Sequence, residues 1–422
     1  MMHQIKILLF IALLALLGAC SKTKPVTKEN LAQSYNSSNV KLNVQYKVFH
    51  SSLNQTEIYL QIPSADLKYN TSEETGFLEA TALIDLKVYK QGSEKGKALD
   101  SIFVKVSDSG AMQTNYNINT KVDLNLLSNN SYVAHLKITD INGLFKEETN
   151  FIIDKSNLNN RQNFLLFDDE YNVPNYLGWV NEPSWLRIKN NEAKPMQVRY
   201  YLRKFPLAPP PFSNFNPPPF QYEADSTFEL SATSDFSNFK AQKMGFYHVL
   251  KDNTQKEGFT IFAFEEHFPK IVTVAQMFES VRYLTTEWEY REMKQSKDIK
   301  NQLETFWVNC AGNKDKAKEL ISIYYGRVEE ANRFFTSYVE GWKTDRGLIH
   351  IVYGKPNIIY RNPTSETWIY GEDKNMMSLS FTFIKVINPF TDNDFRLSRD
   401  ENYKSSWYRS IESWRNGRIY AN

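Results

Sequence analysis

Apolar and polar residues alternate through much of the first two thirds of the chain. From Leu42 the apolar positions are Leu42, Val44, Tyr46 and Val48, then Ile58, Leu60 and Ile62, with strand-like runs at 83–88, 102–106, 122–126, 132–138 and 151–153. A period of two marks strands with one buried face. Turn signals such as Gln91-Gly92-Ser93 and Asn142-Gly143 separate these runs, and the spacing predicts an immunoglobulin-like β-sandwich over residues 41–155, without the Cys-Trp-Cys core of antibody domains. A second β-rich region, 160–268, has candidate strands at 164–167, 185–188, 197–202, 227–230, 245–250 and 259–264 and predicts another sandwich. Its segment 205–220 holds seven of the chain's 16 prolines, interleaved with Phe212, Phe215 and Phe220. Such a segment favours polyproline II and cannot be a central strand. It reads either as a partner-docking loop or as a rigid loop folded over its own domain.

After Pro269 the period becomes helical, loosely over 281–307 and then clearly at Leu320, Tyr324, Val328, Ala331, Phe335 and Tyr338. These intervals place one apolar stripe on one helix face. Arg327, Glu329, Glu330 and Arg333 fall mostly off the stripe and are expected to be solvated, and the helix is expected to stop near Gly341. A strand over 348–353, a turn at 354–357 and strands near 367–370 and 378–387 follow. In the tail, 389–422, Trp407, Ile411 and Trp414 recur at helical spacing. That helix either caps the preceding sheet or presents Trp407 and Trp414 to a partner as interface anchors.

Composition makes this a folded, multidomain chain: of 422 residues, 41% are hydrophobic and 23% charged. Fifty Lys and Arg against 48 Asp and Glu leave a formal charge of +2, without the basic surplus that phosphate neutralisation requires, so no nucleic-acid partner is expected. No Walker loop, dinucleotide fingerprint, His-Glu-x-x-His or Gly-x-Ser-x-Gly occurs, and no nucleotide or other cofactor is expected. Asp168-Asp169-Glu170 and Glu265-Glu266-His267 lack diagnostic metal-ligand spacing and read as solvated charge runs; no metal is expected.

The amino terminus carries Lys6, an apolar run over 7–17 and then Leu17-Gly18-Ala19-Cys20. The run is too short to span a bilayer but suits a signal-peptide core. The Leu-Gly-Ala-Cys ending resembles the bacterial lipobox, which implies a signal peptide over 1–19, lipidation of Cys20 and a lipidated tether over 20–40. The aromatic- and Asn-rich chain resembles those of Bacteroidota. The basic Ser21-Lys22-Thr23-Lys24 that follows the lipid site implies, by that resemblance, an outer-membrane anchor facing the periplasm. The other cysteine, Cys310, lies in an apolar helical stretch and reads as a buried structural thiol.

Phe306-Trp307, Tyr324-Tyr325-Gly326-Arg327-Val328 with Ala331-Asn332, the run Gly341-Trp342-Lys343-Thr344-Asp345-Arg346-Gly347, and Ile351-Val352-Tyr353-Gly354-Lys355-Pro356 resemble the GWxTD domain over roughly 275–390. The resemblance implies a Bacteroidota-type lipoprotein family and a helical hairpin followed by a small sheet over 270–388. It implies no activity. The whole is thus expected to be mainly β with an α+β C-terminal part. The signature itself has two readings. Lys343, Thr344, Asp345 and Arg346, with His350 nearby, bring together groups for acid–base work, with Asp345 as acid or base and Arg346 as stabiliser. Alternatively Trp342 anchors the corner, Thr344 and Asp345 satisfy loop amides and Arg346 pairs with a carboxylate. The catalytic residues are not identified. The expected function is a non-enzymatic scaffold or accessory subunit of an envelope protein complex for outer-membrane protein assembly, secretion or transport. The alternatives are an envelope hydrolase or glycan-processing enzyme with its site at the corner, and a glycan-binding module with aromatic platforms on a sandwich face.

Overall fold

A computed structural model describes residues 30–32, 42–92, 98–110, 115–143, 145–168, 173–192, 194–214, 218, 220–232 and 236–419. Cys20 and Phe215 lie outside the described residues.

The alternation in the first region becomes eight strands: β1 (Gln45–Phe49), β2 (Gln55–Pro63), β3 (Asn70–Thr71), β4 (Leu78–Lys90), β5 (Asp100–Gly110), β6 (Asn117–Asn125), β7 (Ser131–Asp140) and β8 (Lys146–Asp154). They form a three-stranded sheet β1-β2-β6 and a second sheet β3-β4-β7-β8, with β5 also pairing β4. All these pairings are antiparallel. Every second side chain of β2, β4 and β7 enters one core shared by the two sheets, including Ile58, Ile84 and Leu136. Each such aliphatic contributes about 1.5–3 kcal/mol by leaving water.

The second region has β9 (Phe164–Asp168), β10 (Trp179–Asn181), β11 (Ser184–Asn190), β12 (Met196–Tyr201), β13 (Ser226–Leu230), β14 (Phe236–Ala241), β15 (Gly245–Leu250) and β16 (Phe259–Phe264). Sheets β14-β11-β9 and β10-β16-β15-β12-β13 again share a core. The sequence pattern does not announce β10 or β14. β10 is three residues long and pairs parallel with β16, too short to show a period.

The helical part comprises α1 (Val274–Ser280), α2 (Glu287–Gln295), α3 (Ile299–Ala311), α4 (Lys314–Phe335), α5 (Asp345–Tyr353) and, in the tail, α6 (Tyr403–Arg415). Capping boxes at Thr273 with Gln276 and at Thr286 with Glu289 start α1 and α2. α3 and α4 form the hairpin, with Gly312 left-handed between them. A four-stranded sheet follows in the order β17 (Ile358–Arg361), β18 (Ser365–Tyr370), β19 (Leu379–Lys385), β20 (Phe395–Leu397). One core unites helices and sheet.

Three expectations are corrected. The run 348–353 is the helix α5 and not a strand: all nine residues of α5 are buried, so it has no polar face to reveal a helical period. α4 ends at Phe335 with Thr336 extended, short of Gly341. Trp407 and Trp414 are buried, which corrects their reading as anchors for a partner. Trp414 Nε1 donates to the Val352 carbonyl at 3.0 Å, and Tyr403 stacks on Phe381 of β19 with ring centroids 4.8 Å apart. α6 therefore caps the domain.

Two further contacts tie distant parts of the chain. Asn30 and Leu31 add to the free edge of β17: Leu31 N–H donates to the Ile359 carbonyl at 2.8 Å, and Ile359 N–H donates to Asn30 Oδ1 at 2.9 Å. Between the second β-region and the helical part, Tyr201, Phe205, Phe220, Phe246, Tyr338 and Phe390 make an aromatic cluster, with the Phe220–Phe390 and Tyr201–Phe246 centroids both 4.9 Å apart. Phe220 is thus half-buried against this cluster, and Phe212 lies half-buried against Tyr408 at 5.5 Å.

Candidate functional site

The signature occupies the corner where α4 turns into α5. A 3-10 turn, Gly341–Lys343, lies directly against the end of α4. A Cβ at Gly341 would fall 1.8 Å from the Ala331 carbonyl oxygen, and one at Gly347 would fall 1.9 Å from the Gly341 carbonyl oxygen. Both glycines are therefore required by backbone approach. Buried Asn332 of α4 stitches the turn in place: its Oδ1 accepts from Trp342 N–H at 3.2 Å, and its amide donates to the Pro269 carbonyl at 3.1 Å. The Tyr283 hydroxyl donates to the Trp342 carbonyl at 3.0 Å. The Lys343 ammonium lies over the Trp342 ring and 2.8 Å from Glu340.

Thr344 caps α5. Its Oγ1 accepts from Gly347 N–H at 3.0 Å and donates to the Gly341 carbonyl at 2.7 Å, which satisfies one orphan amide of the first turn. Asp345, 8% exposed, accepts from Leu397 N–H at 2.8 Å and pairs with Arg399 through both carboxylate oxygens. Arg346, 2% exposed, donates to the Asn393 carbonyl at 3.0 Å and stands over Phe395 at 4.2 Å. It also pairs at 3.7 Å with Glu366, which is 0% exposed. Glu366 accepts in addition from Arg361 Nε at 2.8 Å, its partner across β17 and β18, and from Trp368 Nε1 at 2.6 Å. Burial alone would raise the Glu366 carboxyl, but Arg361, Arg346 and the indole hold it below the usual carboxylate range.

The far end of α5 is closed as tightly. Arg327 donates to the Ile351 carbonyl at 3.2 Å while stacked on Trp414, and the Tyr370 hydroxyl donates to the Gly354 carbonyl at 2.8 Å. Gly354 has φ +82°, and a Cβ there would meet Arg327 Nη2 at 2.8 Å. His350 is fully buried, with Nε2 3.0 Å from Glu330 Oε2 and Nδ1 without a partner among the described residues. Burial pulls its pKa below the usual imidazole value although Glu330 opposes this. Burial would raise Glu330 as well, but His350 and Lys355 bring it down to about 2. Arg327 and Glu330 of α4 are thus half-buried and engaged with α5, which corrects the expectation that they are solvated; Glu329 is half-buried and accepts from Ile271 N–H at 2.9 Å, and Arg333 is exposed as expected.

The Pro-rich segment reaches this corner. Ala208 N–H donates to the Lys343 carbonyl at 3.0 Å, Arg399 Nη2 to the Pro209 carbonyl at 3.2 Å, and Asp400 N–H to the Pro211 carbonyl at 3.2 Å. The sequence reading missed Arg399, Glu366 and Asn393, since partners about 20 to 50 residues beyond the motif leave no local signal. The structure brings Gly341, Trp342, Thr344, Asp345 and Arg346 together as a joint whose charges turn inward. The two cavities that stand out lie elsewhere, in the N-terminal half. Cys310 is buried in α3, and burial pushes its thiol up to about 11, far from a thiolate nucleophile. Among the described residues no group of three or more His, Cys, Asp or Glu side chains gathers as a metal site, and no helix is long and apolar enough to cross a membrane.

The close approach gives a direct test. Gly347→Ala is expected to destabilise by about 2–3 kcal/mol, read as a lower urea midpoint at unchanged slope, because the obstructing atoms are backbone. Gly326→Ala within α4, where a Cβ meets nothing within 4 Å, should hold or gain stability. Equal behaviour of the two variants would refute the steric argument.

Comparison with curated proteins finds no match. Among solved structures, Bacteroides uniformis beta-glucuronidase is similar at 12% identity over 30% of this chain and 14% of that chain, with a TM-score of 0.18. Bacteroides uniformis beta-glucuronidase 2, covalently bound to cyclophellitol-6-carboxylate aziridine, is similar at 10% identity over 32% and 15%, with a TM-score of 0.19. The chain spans about one seventh of the length of each, and likenesses this slight support no inference about fold or activity. The GWxTD domain family model matches residues 245–416, beyond the 275–390 span of the motifs at both ends, from β15 through α6. Residues 245–416 of this chain are a GWxTD domain.

Proposed function

We propose that this chain is an outer-membrane lipoprotein, held by lipid on Cys20 and facing the periplasm, that acts as a non-enzymatic scaffold or accessory subunit of an envelope protein complex. On this reading the two double-sheet regions are immunoglobulin-like modules and the GWxTD domain is the rigid hub that joins them. The observation that carries the reading is the inward commitment of the signature: Asp345 is held by Arg399 and Leu397, and Arg346 by Glu366 and Asn393. An acid–base site needs such groups open to a substrate. The surface offers contacts of another kind. Between β18 and β19, Met376 and Met377 are 99% and 91% exposed side by side, and adjacent thioethers adapt to irregular protein surfaces.

The test is extraction of native outer membranes in mild detergent, followed by mass spectrometry of what accompanies the protein. The wild type is expected to fractionate with the outer membrane and to carry a stoichiometric envelope protein, which Met376→Lys with Met377→Lys depletes. Cys20→Ala should move the chain to the soluble fraction. Recovery of the protein alone from every preparation would overturn the scaffold reading; retention of Cys20→Ala in the membrane would overturn the lipid anchor.

A further inference from the structure

A cleft of about 500 Å³ opens between the outer face of the β1-β2-β6 sheet and the segment 173–177. That is within the range of small-ligand sites. Its floor is an ordered array of amides. Gln45 stands opposite Gln61, and Gln61 opposite Asn119, so three carboxamides form one row across three strands on one face. Beside it Pro63 stands opposite Asn117, and Asn43, whose amide donates to Asp66 Oδ2 at 3.0 Å, also lines the cleft. Gln61 Nε2 donates to Asn119 Oδ1 at 3.1 Å, which fixes the centre of the array, while the side-chain amides of Gln45 and Asn117 have no partner among the described residues.

The wall is pinned independently of any ligand. Asn175 is buried, donates to Asp168 Oδ1 at 3.2 Å and accepts from Gly178 N–H at 3.0 Å, and its backbone N–H donates to the Leu166 carbonyl at 2.8 Å. Pro63 and Tyr176, both half-buried, add non-polar surface. Asp168 is the one formal charge that lines the cleft, and no Lys or Arg lines it among the described residues.

We propose that this cleft binds a neutral oligosaccharide. A carboxamide offers a donor and an acceptor side by side without charge, which matches the hydroxyls of a sugar, each of which also does both. Proline and tyrosine surfaces receive the C–H faces of the ring. A phosphate or an acidic polymer would find no cation on the lining, and an acyl chain would face a floor of amides. A peptide joining by strand addition needs a free strand edge, whereas this floor presents side chains. The site stands apart from the scaffold reading and does not depend on it.

The experiment is saturation-transfer NMR and titration calorimetry of the full chain with maltoheptaose, cellohexaose and mannohexaose, with a galacturonate hexamer as acidic comparator. At least one neutral oligosaccharide is expected to bind. Gln61→Ala and Asn119→Ala, each on the sheet surface and each checked for an unchanged melt, should weaken it about tenfold. Phe103→Ser, exposed on β5 of the other sheet, should leave it unchanged. Absence of binding by all three at about 10 mM, binding undiminished in both amide variants, or preference for the galacturonate hexamer would each overturn the proposal.

Discussion

Acidification from pH 6.5 to 4 is expected to remove about 3 kcal/mol of folding stability from each of the two β-regions, a large share of what a domain has. One buried histidine in each region is responsible, and His350 in the helical part acts in the same direction. His50 Nε2 lies 2.9 Å from the Asp154 carbonyl and Nδ1 3.0 Å from Thr56 Oγ1; His248 repeats the arrangement with the Lys256 carbonyl at 2.8 Å and Thr260 Oγ1 at 2.9 Å. A carbonyl only accepts, so each Nε2 carries the proton and each Nδ1 accepts from threonine. Burial, helped by Lys155 at the first and by Arg199 and Arg161 at the second, holds both near 4 against an ordinary value of 6.5. Above pH 6.5 both states are neutral and nothing is lost. Between 6.5 and 4 the unfolded chain takes up protons that the folded chain refuses, which costs about 3 kcal/mol per histidine. Glu330, held at about 2, adds its own loss only below the ordinary glutamate value of 4.5. Urea melts across this range check the slope. The double variant His50→Asn with His248→Asn should make it shallower above pH 4.5, with buried His350 still contributing, and an unaltered slope would mean that other groups govern acid stability.

Glu366→Ala is expected to cost about 3–5 kcal/mol. The substitution withdraws the buried carboxylate that Arg346, Arg361 and Trp368 share, and it leaves the guanidinium of Arg346 in a site with 2% exposure. Glu366→Gln keeps an acceptor for the indole and should lose less. Because a buried pair often contributes little over apolar residues of the same volume, Arg346→Met combined with Glu366→Leu should recover part of the loss. Chemical denaturation distinguishes these outcomes. A loss below about 1 kcal/mol for Glu366→Ala would place the pair among the weak surface contacts.

The longer strands of the first β-region were legible because one face of each meets a core: in β4 and β7 every second residue is buried, and the sequence alternates accordingly. The GWxTD hairpin was legible for the same reason at helical spacing. α5 was not, since Leu348-Ile349-His350-Ile351-Val352-Tyr353 is apolar or β-branched at nearly every position and is buried on all sides. The signal available was at its ends, with Thr344 as cap, Asp345 in the first turn and Gly354 beyond the last. Thr344 bonds Gly341 and Gly347 within the signature, as its structural reading has it, but the partners of Arg346 come from β18, β20 and the segment after β19, and no local pattern announces them. The sequence also gives no hint that 208–211 would settle on this corner, because the contacts there run through backbone groups, the Ala208 N–H and the Pro209 and Pro211 carbonyls, which almost any residue supplies.

The docking of Asn30 and Leu31 on β17 sets the length of the leash. Counted along the chain, ten residues separate Cys20 from Asn30, and they reach at most about 35 Å. If Cys20 carries the proposed lipid, the outer edge of β17 is held within that distance of the bilayer.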